Sequence, residues 1–136
     1  MPSPIEKMTP IFNGSTLEGW QRENNGSWHV QNGEIVGRGG RLVYMEDSYG
    51  DVEVSLECRL APRGNSGLHL RTMHSNSGSA WKIGYEAQIT NTPANSGGTL
   101  TGGIYKYSFV TEQLTKDDEW FKLTFRAVDN ELTVFG

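Results

Sequence analysis

The chain has little cysteine, no basic cluster and no long apolar run. Cys58 is the single cysteine of 136 residues, which excludes an intrachain disulfide. It falls on the apolar side of its predicted strand, which favours a small buried hydrophobe over a nucleophile. Twelve basic and sixteen acidic residues give a net charge of -4. Without a basic patch, neither nucleic acid nor an anionic membrane surface is an expected partner.

The start of the chain lacks the apolar run of a signal peptide or a membrane span, so neither is expected in this sequence. Residues 1–10 contain three prolines and are predicted to be a flexible lead-in. The length suits one domain with its own core, which we assign to residues 11–136. Seventeen glycines, together with many asparagines and serines, predict a fold with many turns.

Short alternating segments predict an all-β protein. The clearest is 52–60, where every second residue is apolar and the intervening residues are mostly charged. Asn32-Gly33 separates two short strands and is a strong hairpin signal. Only 111–118 has a helical pattern. About nine strands joined by turns indicate a sandwich or barrel of antiparallel strands.

Two of these segments, 67–73 and 84–89, combine apolar and polar faces in a way that suggests a site. Successive side chains of a strand point to opposite faces of its sheet. If the two polar faces line one surface, that surface holds an imidazole, a guanidinium, a carboxylate and an amide, from His69, Arg71, Glu86 and Gln88. Such a set can bind a polyhydroxylated molecule and can act on it.

The end of the sequence resembles half of a hairpin. Residues 132–136 form an apolar strand that ends on a glycine, with no following partner strand. An uncovered apolar strand leaves unpaired backbone groups. We therefore expect either a fragment or a homo-oligomer in which another copy of the chain covers this edge.

An ordered series of motifs resembles the 3-keto-disaccharide hydrolase domain family, also called domain of unknown function 1080. The matching segments are 11–20 (IFNGSTLEGW), 27–37 (SWHVQNGEIVG), 49–54 (YGDVEV), 64–68 (GNSGL), 70–71 (LR), 84–89 (GYEAQI), 102–105 (GGIY) and 119–122 (EWFK). The resemblance implies a concanavalin A-like jelly-roll sandwich of two antiparallel sheets, with the site on the concave sheet. It also implies a bacterial sugar-processing protein of the periplasm or the extracellular space. Relative to the family pattern, the closing C-terminal strands are missing.

The chemistry implied by this resemblance needs one base. Ordinary glycoside hydrolysis uses two carboxylates, whereas the strand of Glu86 supplies one. In a 3-keto sugar the ketone acidifies the C2 hydrogen, so a single base can start cleavage if the developing oxyanion is stabilised. Glu86 is the candidate acid or base, and Arg71 or His69 is the candidate stabiliser. No cofactor is evident, although a divalent metal could replace the cationic side chain.

Four further residues are candidates for binding an oligosaccharide or 3-keto sugar. Sugar rings stack on aromatic side chains, and amides bind hydroxyls. The candidates are Gln88, Asn65, Tyr105 and Trp81. The tryptophans at 20, 28 and 120 are expected in the core.

Plainer interpretations stay open beside the catalytic one. Glu86 and Arg71 could form a structural ion pair across two strands, worth ~0.2–1 kcal/mol. Asp51, Glu53 and Glu57 are expected to form a solvated face rather than supply a second acid. His69 and His74 fall on opposite faces, which argues against zinc. The alternatives to a hydrolase or lyase are a non-catalytic carbohydrate-binding module and an interaction domain without a sugar ligand.

Overall fold

The computed structural model describes residues 8–45, 50–71, 84–92 and 98–136. These residues form nine strands, all paired antiparallel, and no helix occurs among them. The all-β class predicted from the sequence is therefore confirmed, while the jelly-roll order of strands stays a prediction. None of the described residues belongs to a helix long and apolar enough to cross a membrane.

The chain divides into two compact units. The first, here the N-terminal unit, is described over 8–45, and the second, here the C-terminal unit, over 50–71, 84–92 and 98–136. The expectation of one domain over 11–136 stays a prediction.

The N-terminal unit contains two strand pairs. Its strands are β1 (Trp20–Glu23), β2 (Ser27–Gln31), β3 (Glu34–Arg38) and β4 (Arg41–Tyr44), with β1 pairing β4 and β2 pairing β3. Asn32 and Gly33 join β2 to β3 with φ angles of 54° and 78°. Two successive positive φ angles match the right-handed twist of a two-residue hairpin, which is why Asn-Gly is favoured there. The predicted hairpin is confirmed.

Tryptophans organise this unit. The Trp28 ring lies over Gly37, its register partner, so a Cβ at position 37 would overlap the ring. The Trp28 indole N–H donates to the carbonyl oxygen of Gly39 at 3.0 Å. Trp20 donates to the carbonyl oxygen of Ile11 at 2.7 Å, and its ring centroid is 5.1 Å from that of Tyr44. Both indoles are half-buried with their N–H groups bonded, as amphipathic rings require.

A buried ion pair joins β1 to β4. Glu23 and Arg41 are register partners, and the Arg41 guanidinium bonds the Glu23 carboxylate. The Glu23 side chain is fully buried, and that of Arg41 is 12% exposed. Burial lowers the pKa of Arg41 from its ordinary value, because desolvation disfavours the charged form.

The C-terminal unit is a two-sheet sandwich. Its strands are β5 (Val52–Cys58), β6 (Asn65–Leu70), β7 (Tyr85–Thr90), β8 (Phe121–Val128) and β9 (Glu131–Phe135), in sheets ordered β5-β8-β9 and β6-β7. Apolar residues of both sheets form one buried cluster of Leu70, Ala87, Ile89, Ile104, Leu123, Phe125 and Ala127. Because the core draws on both sheets, they pack face to face.

Three details of this unit bear on the sequence predictions. Cys58 packs against the core, and burial raises its thiol pKa to about 12, as expected for a small hydrophobe. The predicted helical stretch at 111–118 contains no helix. The expected core position of Trp120 is wrong, because this side chain is 52% exposed. The Arg59 guanidinium lies 5.2 Å from its ring centroid, so Trp120 is stabilised at the surface by a cation–π contact.

Candidate functional site

The register of β6 with β7 determines which side chains share a face. Leu70, Ala87 and Ile89 point into the core, so the alternate positions point away from it. His69 lies directly opposite Glu86, and Gly67 lies opposite Gln88. The outer face of this sheet therefore carries the imidazole and the carboxylate side by side, as the alternation predicted.

Glu86 and His69 form a partly buried acid–imidazole pair. Nε2 of His69 is 3.6 Å from Oε1 of Glu86, and each side chain is 19% exposed. Burial raises the pKa of Glu86 from its ordinary value to about 7, because desolvation penalises the carboxylate more than the neutral acid. A carboxyl group that titrates near neutrality can both accept and return a proton at physiological pH.

Residues 101–105 pair with the edge of β7 that does not face β6. Three backbone hydrogen bonds connect this segment to β7: Tyr105 to Glu86 at 2.9 Å, Gln88 to Gly103 at 3.0 Å, and Thr101 to Thr90 at 3.0 Å. This spacing is that of an antiparallel partner, with an isolated bridge between Ala87 and Ile104. This pairing places the half-buried Tyr105 opposite Glu86. His69, Glu86 and Tyr105 therefore lie side by side on three neighbouring segments of the sheet.

Arg71 takes a different position from the one expected. β6 ends at Leu70, and Arg71 has a φ of 55°, so the alternation of the strand does not extend to it. Its guanidinium donates to the carbonyl oxygen of Asp129 at 2.7 Å and lies 3.5 Å from Oδ1 of Asp51. The catalytic role of Arg71 stays a prediction.

Two other predicted site residues lie in the same sheet. Gln88 is on the outer face but only 2% exposed, and its Oε1 accepts from the Ile89 amide at 3.2 Å. A side chain this buried is better placed to position its neighbours than to contact a ligand. Asn65 begins β6, is exposed and lies opposite Thr90. It is four residues from His69 along the strand, or ~13 Å. Trp81 and His74 lie outside the described residues.

Two other carboxylates of the unit, Glu53 and Glu57, lie on the opposite sheet. Glu53 and Glu57 lie on β5 opposite Arg126 and Lys122, on the face that alternates with its core residues. They therefore line the outer side of the β5-β8-β9 sheet, whereas Glu86 lies on the outer side of the other sheet. Asp51 accepts from the Asp129 amide at 2.9 Å. The solvated-face interpretation fits this arrangement.

Among the described residues, no metal-ligand cluster marks the site, and the two depressions described next lie elsewhere. Within 8–45, 50–71, 84–92 and 98–136, no three His, Cys, Asp or Glu side chains are grouped to hold a metal ion. One open depression of about 430 Å³ lies in the N-terminal unit, beside Phe12, Glu18 and Tyr44. Another, of about 290 Å³, lies beside Lys116 and Trp120. Neither is lined by Glu86, so the site is identified here by the chemistry of its side chains.

These observations define an all-β domain with an ionisable pair on the outer face of a sandwich sheet. The chain belongs to the 3-keto-alpha-glucoside-1,2-lyase-like domain family, whose model matches residues 7–135. The resemblance stated from the sequence motifs is confirmed, and the family name indicates a carbohydrate-active domain. A search of curated proteins finds no match.

The sequence interpretation missed two features of the site. One is the position of Tyr105 opposite Glu86, which depends on a backbone register across the 18 residues that separate them in sequence. The other is Gly67, over which the Glu86 side chain lies. A glycine on the polar face of an alternating strand was the only available signal, and it gained meaning once β6 and β7 were paired.

The raised pKa of Glu86 predicts a pH-dependent stability. The folded state binds the carboxyl proton up to pH of about 7, and the unfolded state releases it near 4.5. Unfolding therefore becomes easier as pH rises through this window. A pKa unit is worth about 1.4 kcal/mol, and partial solvation reduces the effect. We therefore expect the free energy of unfolding to fall by about 1–2 kcal/mol across this pH range.

Urea unfolding at several pH values measures this slope. Glu86→Gln should remove the contribution, because the amide does not titrate. Glu57→Gln, at an exposed carboxylate of the other sheet, is the control and should retain it. Equal slopes in wild type and Glu86→Gln would contradict the expectation.

Proposed function

We propose that this domain cleaves 3-keto-glycosides at the C1–oxygen bond by elimination, with Glu86 as the base. The single observation that carries the proposal is the Glu86–His69 pair, a half-buried carboxylate 3.6 Å from an imidazole. Its pKa of about 7 lets the carboxylate coexist with its acid at neutral pH, which is the range in which general acid–base catalysis is most effective. The family's lyase-like description supports the same reaction class.

The proposed reaction needs one base and one site of charge stabilisation. The Glu86 carboxylate removes the C2 proton, which the C3 ketone has acidified, and the electron pair moves onto the ketone oxygen as an enolate. The enolate then expels the group at C1, forming a C1–C2 double bond. The proton held by Glu86 passes to the departing oxygen. Later addition of water across the double bond gives the products of hydrolysis, so the same site serves a lyase or a hydrolase.

His69 and Tyr105 supply the surroundings of the proposed base. His69 lies beside the carboxylate, and in its protonated form it places positive charge next to the developing enolate. Tyr105 lies opposite Glu86, on the side of β7 away from β6. Its ring and hydroxyl are proposed to bind the sugar, with Asn65 at the rim, Gln88 beneath and Trp81 as a further stacking candidate.

The placement of Glu53 and Glu57 favours elimination over a two-carboxylate mechanism. A retaining or inverting glycosidase needs a second carboxyl group within ~5–10 Å of the first. Glu53 and Glu57 lie on the outer side of the opposite sheet, with the core between them and Glu86. The described residues of β5 therefore supply no second acid to this face.

A pair of matched disaccharides tests the proposed function. We expect turnover of a 3-keto-disaccharide and none of the same disaccharide with a C3 hydroxyl, because only the ketone acidifies C2. In deuterated water the recovered keto substrate, or the product formed by later addition of water, should carry deuterium at C2, as measured by NMR. Equal cleavage of both sugars would contradict a ketone-dependent mechanism. Binding of both sugars without turnover would indicate a carbohydrate-binding module instead.

A further inference from the structure

The Glu86 side chain lies across a bare stretch of backbone on the neighbouring strand. A Cβ built at Gly67 would overlap Oε2 of Glu86 and would come within 2.7 Å of both its Cδ and its Cγ. The other carboxylate oxygen, Oε1, faces Nε2 of His69. One oxygen thus lies over glycine and the other beside the imidazole.

The glycine is explained by space rather than by backbone conformation. Gly67 lies inside β6 and is not among the residues with positive φ, so other residues could adopt its backbone angles. Glycine weakens a strand interior and often marks a close approach of another group. Here the approaching group is the Glu86 side chain, which reaches diagonally across the sheet from β7.

We propose that Gly67 is a positioning residue, whose missing side chain provides the seat in which the Glu86 carboxylate lies flat against the sheet beside His69. This inference rests on the proposed function for its catalytic consequence, but the seat itself is a steric property. An alanine at 67 would push the carboxylate outward, away from His69 and into water. A base displaced by about 1 Å can lose two orders of magnitude in rate, because proton transfer depends on alignment.

A double-mutant cycle measures the steric coupling between Gly67 and the Glu86 side chain without substrate. Gly67→Ala is compared in the wild-type and Glu86→Ala backgrounds by thermal unfolding. Gly50→Ala is the matched control, because Gly50 is in the same unit, lacks a positive φ and has no heavy atom within 4 Å of a built Cβ. We expect Gly67→Ala to lower Tm by about 4–8 °C in wild type and by much less when Glu86 is alanine. The control should be near neutral in both.

Titration of the Glu86 carboxyl carbon by NMR separates positioning from general destabilisation. In wild type we expect a midpoint near 7. In folded Gly67→Ala we expect it to move by about one unit or more toward the ordinary value of Glu, because the displaced carboxylate is better hydrated. Gly50→Ala should leave it unchanged. Among the described residues, the titratable groups placed beside Glu86 by strand pairing are His69 on β6, whose Nε2 is 3.6 Å from Oε1, and Tyr105 on the other side of β7.

Kinetics on a 3-keto-disaccharide complete the test. Gly67→Ala should lower kcat by about a hundred-fold with little change in KM, and the acid limb of its pH profile should move to lower pH with the NMR midpoint. An unchanged midpoint together with independent effects of the two substitutions on Tm would overturn the proposal. A coupled Tm and a shifted midpoint in a protein that turns over no keto sugar would support the seat and refute only the proposed function.

Discussion

Glu86→Gln is expected to lower kcat/KM for a 3-keto-disaccharide by about 10²–10⁴-fold, the range typical for loss of a general acid or base. The substitution keeps the shape of the side chain and its place opposite His69, but the amide cannot take the C2 proton. Sugar affinity should change little, because the neighbouring groups remain. Initial rates and binding isotherms on the same preparation distinguish the two effects.

The pH profile strengthens this experiment. With a carboxyl pKa of about 7, the wild-type rate should rise as pH increases through neutrality, because the base works only when ionised. The residual rate of Glu86→Gln should not show this rise. Glu57→Gln is the matched control, an isosteric change on the other sheet. Turnover within a few-fold of wild type in Glu86→Gln would refute Glu86 as the base.

Arg41→Leu is expected to destabilise the N-terminal unit by about 3–5 kcal/mol, the cost of removing one partner of a buried ion pair. Glu23 lies opposite Arg41, and its carboxylate is fully buried. Without the guanidinium, that carboxylate must be protonated or pull the strand pair open to reach water. Chemical denaturation followed by the NMR signals of the Trp20 and Trp28 indole N–H groups, which are hydrogen-bonded within the N-terminal unit, measures the change.

Two companion variants make the Arg41 prediction specific. Arg38→Leu removes an exposed arginine at the end of β3 and should cost about 0.5 kcal/mol or less. Glu23→Leu combined with Arg41→Leu should recover much of the loss, because replacing both charges removes the desolvation penalty with the pair. If Arg41→Leu alone proved as stable as Arg38→Leu, Arg41 would not be needed to offset a buried charge.

The β2–β3 hairpin and the alternating strand β5 could be predicted because their signals are local. Asn32-Gly33 specifies a two-residue turn by its backbone preferences, and the apolar parity of 52–60 assigns one face of β5 to the core. The short β1 was missed because its sequence, Trp-Gln-Arg-Glu, alternates too briefly to show a pattern. Its fourth residue is a buried charge, which no hydrophobic pattern predicts.

The sequence placed some residues of the candidate site correctly and others not. The shared outer face of His69 and Glu86 followed from the alternation of side chains, because both residues lie inside extended strands. The same rule failed to place Arg71, since the chain leaves the strand at that residue and the guanidinium reaches Asp51 and the carbonyl of Asp129 instead. Trp120 was misplaced because a tryptophan next to a strand can be stabilised at the surface by an arginine, a contact that depends on Arg59 being near in space.

By itself the sequence determined the all-β class, the family and the side chains available for chemistry, because alternation, turn residues and motif order are encoded along the chain. Tertiary structure decided which of those side chains meet. The diagonal approach of Glu86 to Gly67, the position of Tyr105 and the burial that raises the pKa of Glu86 to about 7 all arise between strands. Desolvation and steric fit depend on what surrounds a group in three dimensions, and no local pattern specifies those surroundings.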